Sequence, residues 1–376
     1  MKTLGIITIH KIYNYGSVLQ AYALQEVCEN LGFKVEIIDY TFPNDFQKSS
    51  TIDIQEKGKE SHANEPKWIK ALFAKSLMRQ HKKISNFVSS KLHLSNRIYN
   101  HPDELKNTPP VYDVYVSGSD QLWNPRFCKG DPSFLLHFAP DTSLKISYAA
   151  SIGANIIPDS LKTYYTSLLS RYNRISIREA SGQKLICNLA DKKVSVVLDP
   201  TLLLNRDQWN HIACKDRIIH KKYILCYFLN YSFDAFPYVN NLVKEIQRQT
   251  GYEIVHVARP PHVLEFCNTY YKIGASPEEF LSLIRDAEIV LTTSFHGTAF
   301  AVNFGRPLFT VVESKNSGDS RQVDLMKQLG LDRQIISINS QFPNYKNARY
   351  DVDKEQITLN YLRNNSLQFL TNALSE

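Results

Sequence analysis

The chain has 376 residues, 43% of them hydrophobic and 22% charged, with a formal net charge of +7. That length exceeds what one core usually spans, so two domains are expected, and the composition is that of an ordinary globular protein. No apolar run reaches the ~18 residues of a membrane span and the apolar start is too short for a signal peptide, so the chain is expected in the cytoplasm.

The charge is concentrated. Between Pro66 and Pro102 stand Lys67, Lys70, Lys75, Arg79, Lys82, Lys83, Lys91 and Arg97 with no acidic residue, so this window carries +8 and the remainder −1. The six cysteines (28, 128, 187, 214, 226 and 267) are scattered without a C-x-x-C and read as packed thiols. No metal site is expected.

Leu4 to Ile9 reads as a strand. Ser17 to Leu31 reads as a helix with Val18, Leu19, Ala21, Tyr22, Leu24, Val27 and Leu31 on one broad face, closed by Gly32 and followed by the strand Val35–Ile38. Residues 41–66 are polar and aperiodic, an expected loop. Trp68 to Leu92 repeats apolar residues at helical spacing. Strands are expected at Asp113–Ser117, Lys145–Ala150, Arg174–Ile177 and Val194–Leu198, with a helix near Ser160–Arg171.

A second series starts near Lys222: strand Tyr223–Leu229, helix Ala235–Thr250, strand Glu253–Val257, then helix Pro277–Arg285 capped by Ser276 with Glu278 and Glu279 in its first turn. The strand Glu288–Leu291, a helix from His296, the strand Leu308–Val312 and the helix Arg321–Leu329 follow. Gln356–Leu374 reads as a terminal helix. The alternation predicts an α/β protein of two doubly wound Rossmann-like domains facing across a cleft. Their expected bounds are 1–200, carrying the basic segment 66–102, and 216–345, with a helix in 353–376 crossing back to the first.

Four stretches carry candidate chemistry. Asn14, Tyr15 and Gly16 stand at a helix start after the first strand, where Gly16 permits close backbone approach; the plainer reading is a turn and cap. Asp120, Gln121 and Asn124 beside Trp123 combine fixed hydrogen-bonding groups with a flat apolar face, as sugar recognition requires, and Asp120 can act as a base toward a hydroxyl. The plainer reading is an Asx-type loop around a core Trp. Arg178 ends a strand and can meet an anion with two N–H groups, or simply pair with Glu179 on the surface or join a neighbouring ion pair. His296 and Gly297 sit where an apolar strand turns into a small-residue helix; the imidazole is either packed in the core or placed for catalysis. Arg306, Lys315 and Arg321 follow as further cations. The basic segment is either a solvated helix face or a contact for anionic lipid; no nucleic-acid motif accompanies it.

In this order the segments resemble the polysaccharide pyruvyl transferase family. The match runs through Asn14-Tyr15-Gly16-Ser17-Val18-Leu19-Gln20, Gly118-Ser119-Asp120-Gln121-Leu122-Trp123-Asn124-Pro125, Tyr148-Ala149-Ala150-Ser151 and Ile177-Arg178-Glu179. It continues in Leu198-Asp199-Pro200-Thr201, Ser294-Phe295-His296-Gly297-Thr298 and Arg321…Asp324-Leu325. The resemblance implies a GT-B-like fold and transfer of a pyruvyl group from phosphoenolpyruvate to two hydroxyls of a sugar, as a ketal, with phosphate released. It implies that His296 and Arg178 act at the donor site, with Ser294, Gly297, Arg306, Lys315 and Arg321 around the donor. Asn14, Tyr15, Gly16, Asp120, Gln121 and Trp123 then fall to the acceptor. Phosphoenolpyruvate is a co-substrate, and no cofactor is implied. The expected acceptor is a sugar or lipid-linked oligosaccharide, which gives residues 66–102 a reason to touch the inner face of the membrane. Two other readings share the fold: a glycosyltransferase with a nucleotide-sugar donor, where Glu313 would hold the ribose, and a non-catalytic glycan-binding assembly protein.

Overall fold

The computed structural model describes residues 1–49, 67–230, 232–258, 269–316 and 320–376. These divide into two compact units, one within Met1–Ile54, Phe87–Leu204 and Asn360–Glu376, the other within Gln55–Asn86 and Asn205–Leu359.

In the first unit, β1 (Thr3–Ile7), β2 (Lys34–Ile37), β3 (Val114–Ser117) and β4 (Leu144–Ser147) form a parallel sheet in the order β2-β1-β3-β4. β5 (Ile175–Ile177) and β6 (Val194–Val196) pair in parallel, and single bridges from Ile146 to Arg174 and from Ala150 to Ile177 tie them to the β4 side. Strands of this kind are covered on both faces, which is why β1 and β3 read as apolar runs and not as alternating patterns. The helices are α1 (Tyr15–Asn30), α2 (Asp45–Ser49), α3 (Lys67–Lys91), α4 (Pro102–Asn107), α5 (Asp159–Leu169) and α6 (Ala180–Ala190), and the division between units falls within α3.

The second unit holds α7 (Arg206–Ile212), β7 (Tyr223–Tyr227), α8 (Tyr238–Thr250), β8 (Glu253–His256), β9 (Thr269–Tyr271), α9 (Pro277–Arg285), β10 (Ile289–Thr292), α10 (Phe295–Asn303), β11 (Leu308–Val312), α11 (Arg321–Gln328) and β12 (Ile335–Ser337). Its six strands are parallel in the order β12-β11-β10-β7-β8-β9. The expected cap of α9 is present as a reciprocal box: Ser276 Oγ accepts from Glu279 N at 3.2 Å, and Glu279 Oε2 accepts from Ser276 N at 2.7 Å.

In each sheet the strand order reverses once. β1 leads to β2 on one side while β3 leads to β4 on the other, and β7 leads to β8 while β10 leads to β11. Ligands of open parallel sheets bind beyond the carboxyl ends of the strands at such a point. That selects the turns after β1 and β3 in the first unit and after β7 and β10 in the second.

The division into units bears on several expectations. The described part of the basic segment up to Asn86 belongs with the second unit, because Phe73 and Leu77 of α3 pack with Tyr271 and Ile273. The last helix, α12 (Val352–Leu374), starts in the second unit, and its residues from Asn360 lie in the first. There Ser366 Oγ accepts from Leu198 N at 3.0 Å and Arg363 Nε donates to Leu202 O at 2.7 Å. The expected loop at 41–66 contains α2; its part from residue 50 onward lies outside the described residues, as does Cys267. Among the described residues, no helix is long and apolar enough to cross a membrane.

Candidate functional site

In the first unit, the turn after β3 carries Asp120 at φ 80°, and the preceding Gly118 has φ 149°. A side chain on Gly118 would place its Cβ 1.9 Å from the Tyr148 carbonyl oxygen, so only glycine fits. Asp120 Oδ2 accepts from Ser17 Oγ at 2.8 Å, while Oδ1 accepts from Gln121 N at 2.9 Å and from Arg178 Nη2 at 3.1 Å. Arg178 Nη1 donates to Asp199 Oδ2 at 2.6 Å. Ser119 Oγ, which donates to Ala149 O at 2.7 Å, lies 3.1 Å from the same oxygen, and Thr201 N and Oγ1 donate to Asp199 Oδ1 at 3.0 and 2.8 Å. Gln20 and Thr8 close the turn: Ser119 N donates to Gln20 Oε1 at 3.1 Å and Thr8 Oγ1 to Ser119 O at 3.0 Å.

The geometry reassigns several expected residues. Asn14 caps α1, its Oδ1 accepting from Gly16 N at 2.8 Å and Ser17 N at 3.3 Å, so its oxygen is committed to the helix. Tyr15 is buried, and Trp123 is fully buried, donating Nε1–H to Phe134 O at 3.0 Å with its ring against Tyr172. Trp123 therefore offers no face for a sugar to stack on. Gln121 is half-buried, its Oε1 accepting from Asn124 Nδ2 at 2.7 Å. Arg178 is not a surface partner of Glu179: its side chain is 1% exposed between two carboxylates. The trio Asp120, Arg178 and Asp199 sums to one negative charge, which suits hydroxyl groups better than a phosphate. Glu179 instead gathers the next turn, its Oε1 accepting from Ser151 Oγ at 3.1 Å, Ile152 N at 2.7 Å and Gly153 N at 3.1 Å.

Beyond β1, and unmarked by any motif, His10 Nε2 lies 3.3 Å from Asp39 Oδ1, with Lys11 on the same oxygen. Burial alone would raise the Asp39 carboxyl, but the hydrogen bonds and charges of His10 and Lys11 outweigh it and hold the group below the usual carboxylate range.

In the second unit, the turn after β10 is locked to the turn after β7. Thr292 Oγ1 donates to Tyr227 O at 2.7 Å and accepts from Ser294 N at 3.0 Å; Thr293 Oγ1 donates to Leu229 O at 2.9 Å and accepts from Leu229 N at 2.7 Å. Ser294 caps α10, accepting from Gly297 N at 3.3 Å. His296 thus stands in the first turn of α10, 6% exposed, at the point where the strand order reverses. The first N–H groups of a helix lack intrahelical partners and favour anions. Gly297 serves the sheet: a Cβ there would come within 2.4 Å of Thr292 Oγ1 and 2.9 Å of the Tyr227 ring.

A buried hydroxyl couples this turn to α11. Thr310 Oγ1 lies 2.8 Å from Thr298 Oγ1 and accepts from Gln322 Nε2 at 2.7 Å. Arg321, the first residue of α11 and 8% exposed, is thereby held near the start of α10. Lys315 stands on the same sheet edge, exposed, with Nζ 3.4 Å from Asp332 O, and Glu313 is exposed at the end of β11. Arg306 does not join them. It lies past the other end of α10, whose nine residues rise about 13 Å, at the entry to β11 where Val290 N donates to Pro307 O. Among the described residues, no three His, Cys, Asp or Glu side chains group to hold a metal ion.

Two Rossmann-like units, each with a turn where its strand order reverses, define the GT-B fold. Solved structures share it at low identity. A putative UDP-N-acetylglucosamine 2-epimerase from Listeria monocytogenes is 10% identical, with 99% of this chain and 90% of that one covered and a TM-score of 0.52. The S. aureus MnaA–UDP complex is 11% identical, with 96% and 90% covered and a TM-score of 0.53. A search of curated proteins found no match. A model of the polysaccharide pyruvyl transferase family matches residues 14–315, and the chain belongs to that family.

Proposed function

We propose that the chain transfers the pyruvyl group of phosphoenolpyruvate onto two hydroxyls of a sugar in a lipid-linked polysaccharide precursor, forming a ketal and releasing phosphate. The supporting observation is the turn after β10: His296 in the first turn of α10, coupled through Thr310 to the helix that Arg321 opens. Two helix starts, Arg321 and Lys315 give a small dianion the donors and charge it needs. His296 protonates the methylene carbon of the donor, leaving the adjacent carbon oxocarbenium-like. A sugar hydroxyl attacks that carbon and passes its proton to the phosphate group, which leaves as hydrogen phosphate with the electrons of the C–O bond; the second hydroxyl closes the ring, and its proton restores His296. Asp120, already accepting from Ser17 and Arg178, orients the acceptor hydroxyls as a hydrogen-bond acceptor.

Lys75, Arg79 and Lys82 lie exposed along α3, while Phe73, Ile84, Phe87 and Val88 are buried in the protein. The attraction of these three side chains to an anionic membrane would be electrostatic, about 1 kcal/mol each.

The test is incubation with phosphoenolpyruvate and a panel of methyl glycosides and lipid-linked glycans, read by phosphate release and mass spectrometry. The expected product gains one pyruvate less one water, and His296→Ala, folded by circular dichroism, makes none. Turnover with nucleotide sugars in place of phosphoenolpyruvate would refute the reading.

A further inference from the structure

The carboxylate of Asp199 lies outside any role assigned so far, yet it is built with more care than a surface cap requires. It is the fully buried end of a charge chain whose exposure rises stepwise: the side chain of Asp199 is 0% exposed, Arg178 1% and Asp120 11%. Each link is short, 2.6 Å from Arg178 to Asp199 and 3.1 Å from Arg178 to Asp120. Asp199 caps the short turn Pro200–Leu202 through Thr201, and its Oδ2 lies 3.1 Å from Ser119 Oγ, the hydroxyl of the residue before Asp120. The turn after β3 is thus tied to one buried carboxylate through Arg178 and lies against it at the Ser119 hydroxyl.

We propose that Asp199 is a positioning residue, which acts through Arg178 to fix the Asp120 carboxylate for an acceptor bearing neighbouring hydroxyls. A guanidinium beside a single carboxylate settles wherever that carboxylate goes. Beside two, with one anchored by the N–H and hydroxyl of Thr201, its plane is determined, and the second carboxylate is determined with it. Ser17 Oγ then sets the rotation of Asp120 by donating to Oδ2. Two carboxylates about one cation also leave the cluster with the negative charge that makes hydroxyl hydrogen bonds strong. Arg178 in this arrangement binds no phosphate; it holds the acceptor group. Burying an ion pair this deeply is poor for stability when compared with apolar packing, so its value is geometric.

The inference rests on the proposed reaction, and the test separates the two. Wild type, Asp199→Asn, Asp120→Asn and the double variant are assayed for phosphate release from phosphoenolpyruvate with the methyl glycoside that gives the highest wild-type turnover. Asp199→Asn should raise the KM for the glycoside about tenfold, leaving the KM for phosphoenolpyruvate within twofold. In the Asp120→Asn background the same change should add less than twofold, because its route to the acceptor is gone. Arg178→Lys, which keeps the charge but not the two-armed fork, should reproduce the acceptor defect and guards against an unfolded Asp199→Asn. Equal losses for donor and acceptor, or additive losses in the double variant, would reduce Asp199 to a structural residue and overturn the inference. A wild type that releases no phosphate with any glycoside would instead overturn the reaction on which it rests.

Discussion

Gly297→Ala is the sharpest probe of how the His296 turn is built. On an exposed helix the change would stabilise by up to about 1 kcal/mol, because alanine loses less backbone entropy. Here the added methyl would sit 2.4 Å from Thr292 Oγ1, 2.9 Å from Tyr227 Cδ1 and 3.1 Å from Thr292 Cβ. None of these atoms can swing aside. Thr292 Oγ1 is held by Tyr227 O and Ser294 N, and Tyr227 is buried on β7 with its ring against Phe280. The helix start must move by roughly an ångström to restore ordinary contact distances, at an overpacking cost of about 1–3 kcal/mol. That outweighs the propensity gain, so the net change should be a destabilisation, measurable as a lower urea midpoint at unchanged slope. A displacement near 1 Å also carries His296 with it, and misplacement of that size commonly costs on the order of 100-fold in turnover. Adding Thr292→Ala removes the nearest atom, so the double variant should be more stable than the sum of the two single changes by about 1 kcal/mol. A Gly297→Ala protein at least as stable as wild type with unchanged kcat would refute this account of the turn.

Arg321→Ala should raise the KM for phosphoenolpyruvate at least tenfold, the loss expected of one charge-assisted contact, whereas Arg306→Ala should leave it unchanged; equal effects would place Arg306 at the donor after all. Burial pushes the His256 imidazole down to about 4, against roughly 6.5 in the unfolded chain. The unfolded state therefore takes up the proton first, so the contribution of His256 to stability is full above pH ~6.5 and is lost as pH falls toward 4. Between pH 7 and 5 this amounts to about 2 kcal/mol, read as a shift in the urea midpoint, and His256→Leu should flatten the dependence; a slope that persists in the variant would assign it to other groups.

The periodicity of the chain determined the element types. Long strands bounded by glycine or a polar cap, such as Leu308–Val312 and the helix opened by Ser276, were legible because burial on both faces leaves an apolar run and a cap leaves a polar signature. The short elements α7, β9 and β12 were not, since seven, three and three residues hold too little pattern to stand out. The motifs likewise fall on turns after strands, and those carrying Asp120 and His296 lie where strand order reverses. What the motifs could not carry was the direction of a side chain. Trp123 and Tyr15 looked like recognition residues and are core. Arg178 looked like an anion clamp and lies between Asp120 and Asp199, 58 and 21 residues away in sequence. Arg306 looked like a neighbour of His296 and lies past the far end of α10. These assignments depend on which strands become adjacent and which end of a helix a residue occupies. Adjacency is set by the packing of whole elements against one another, and no local pattern encodes it.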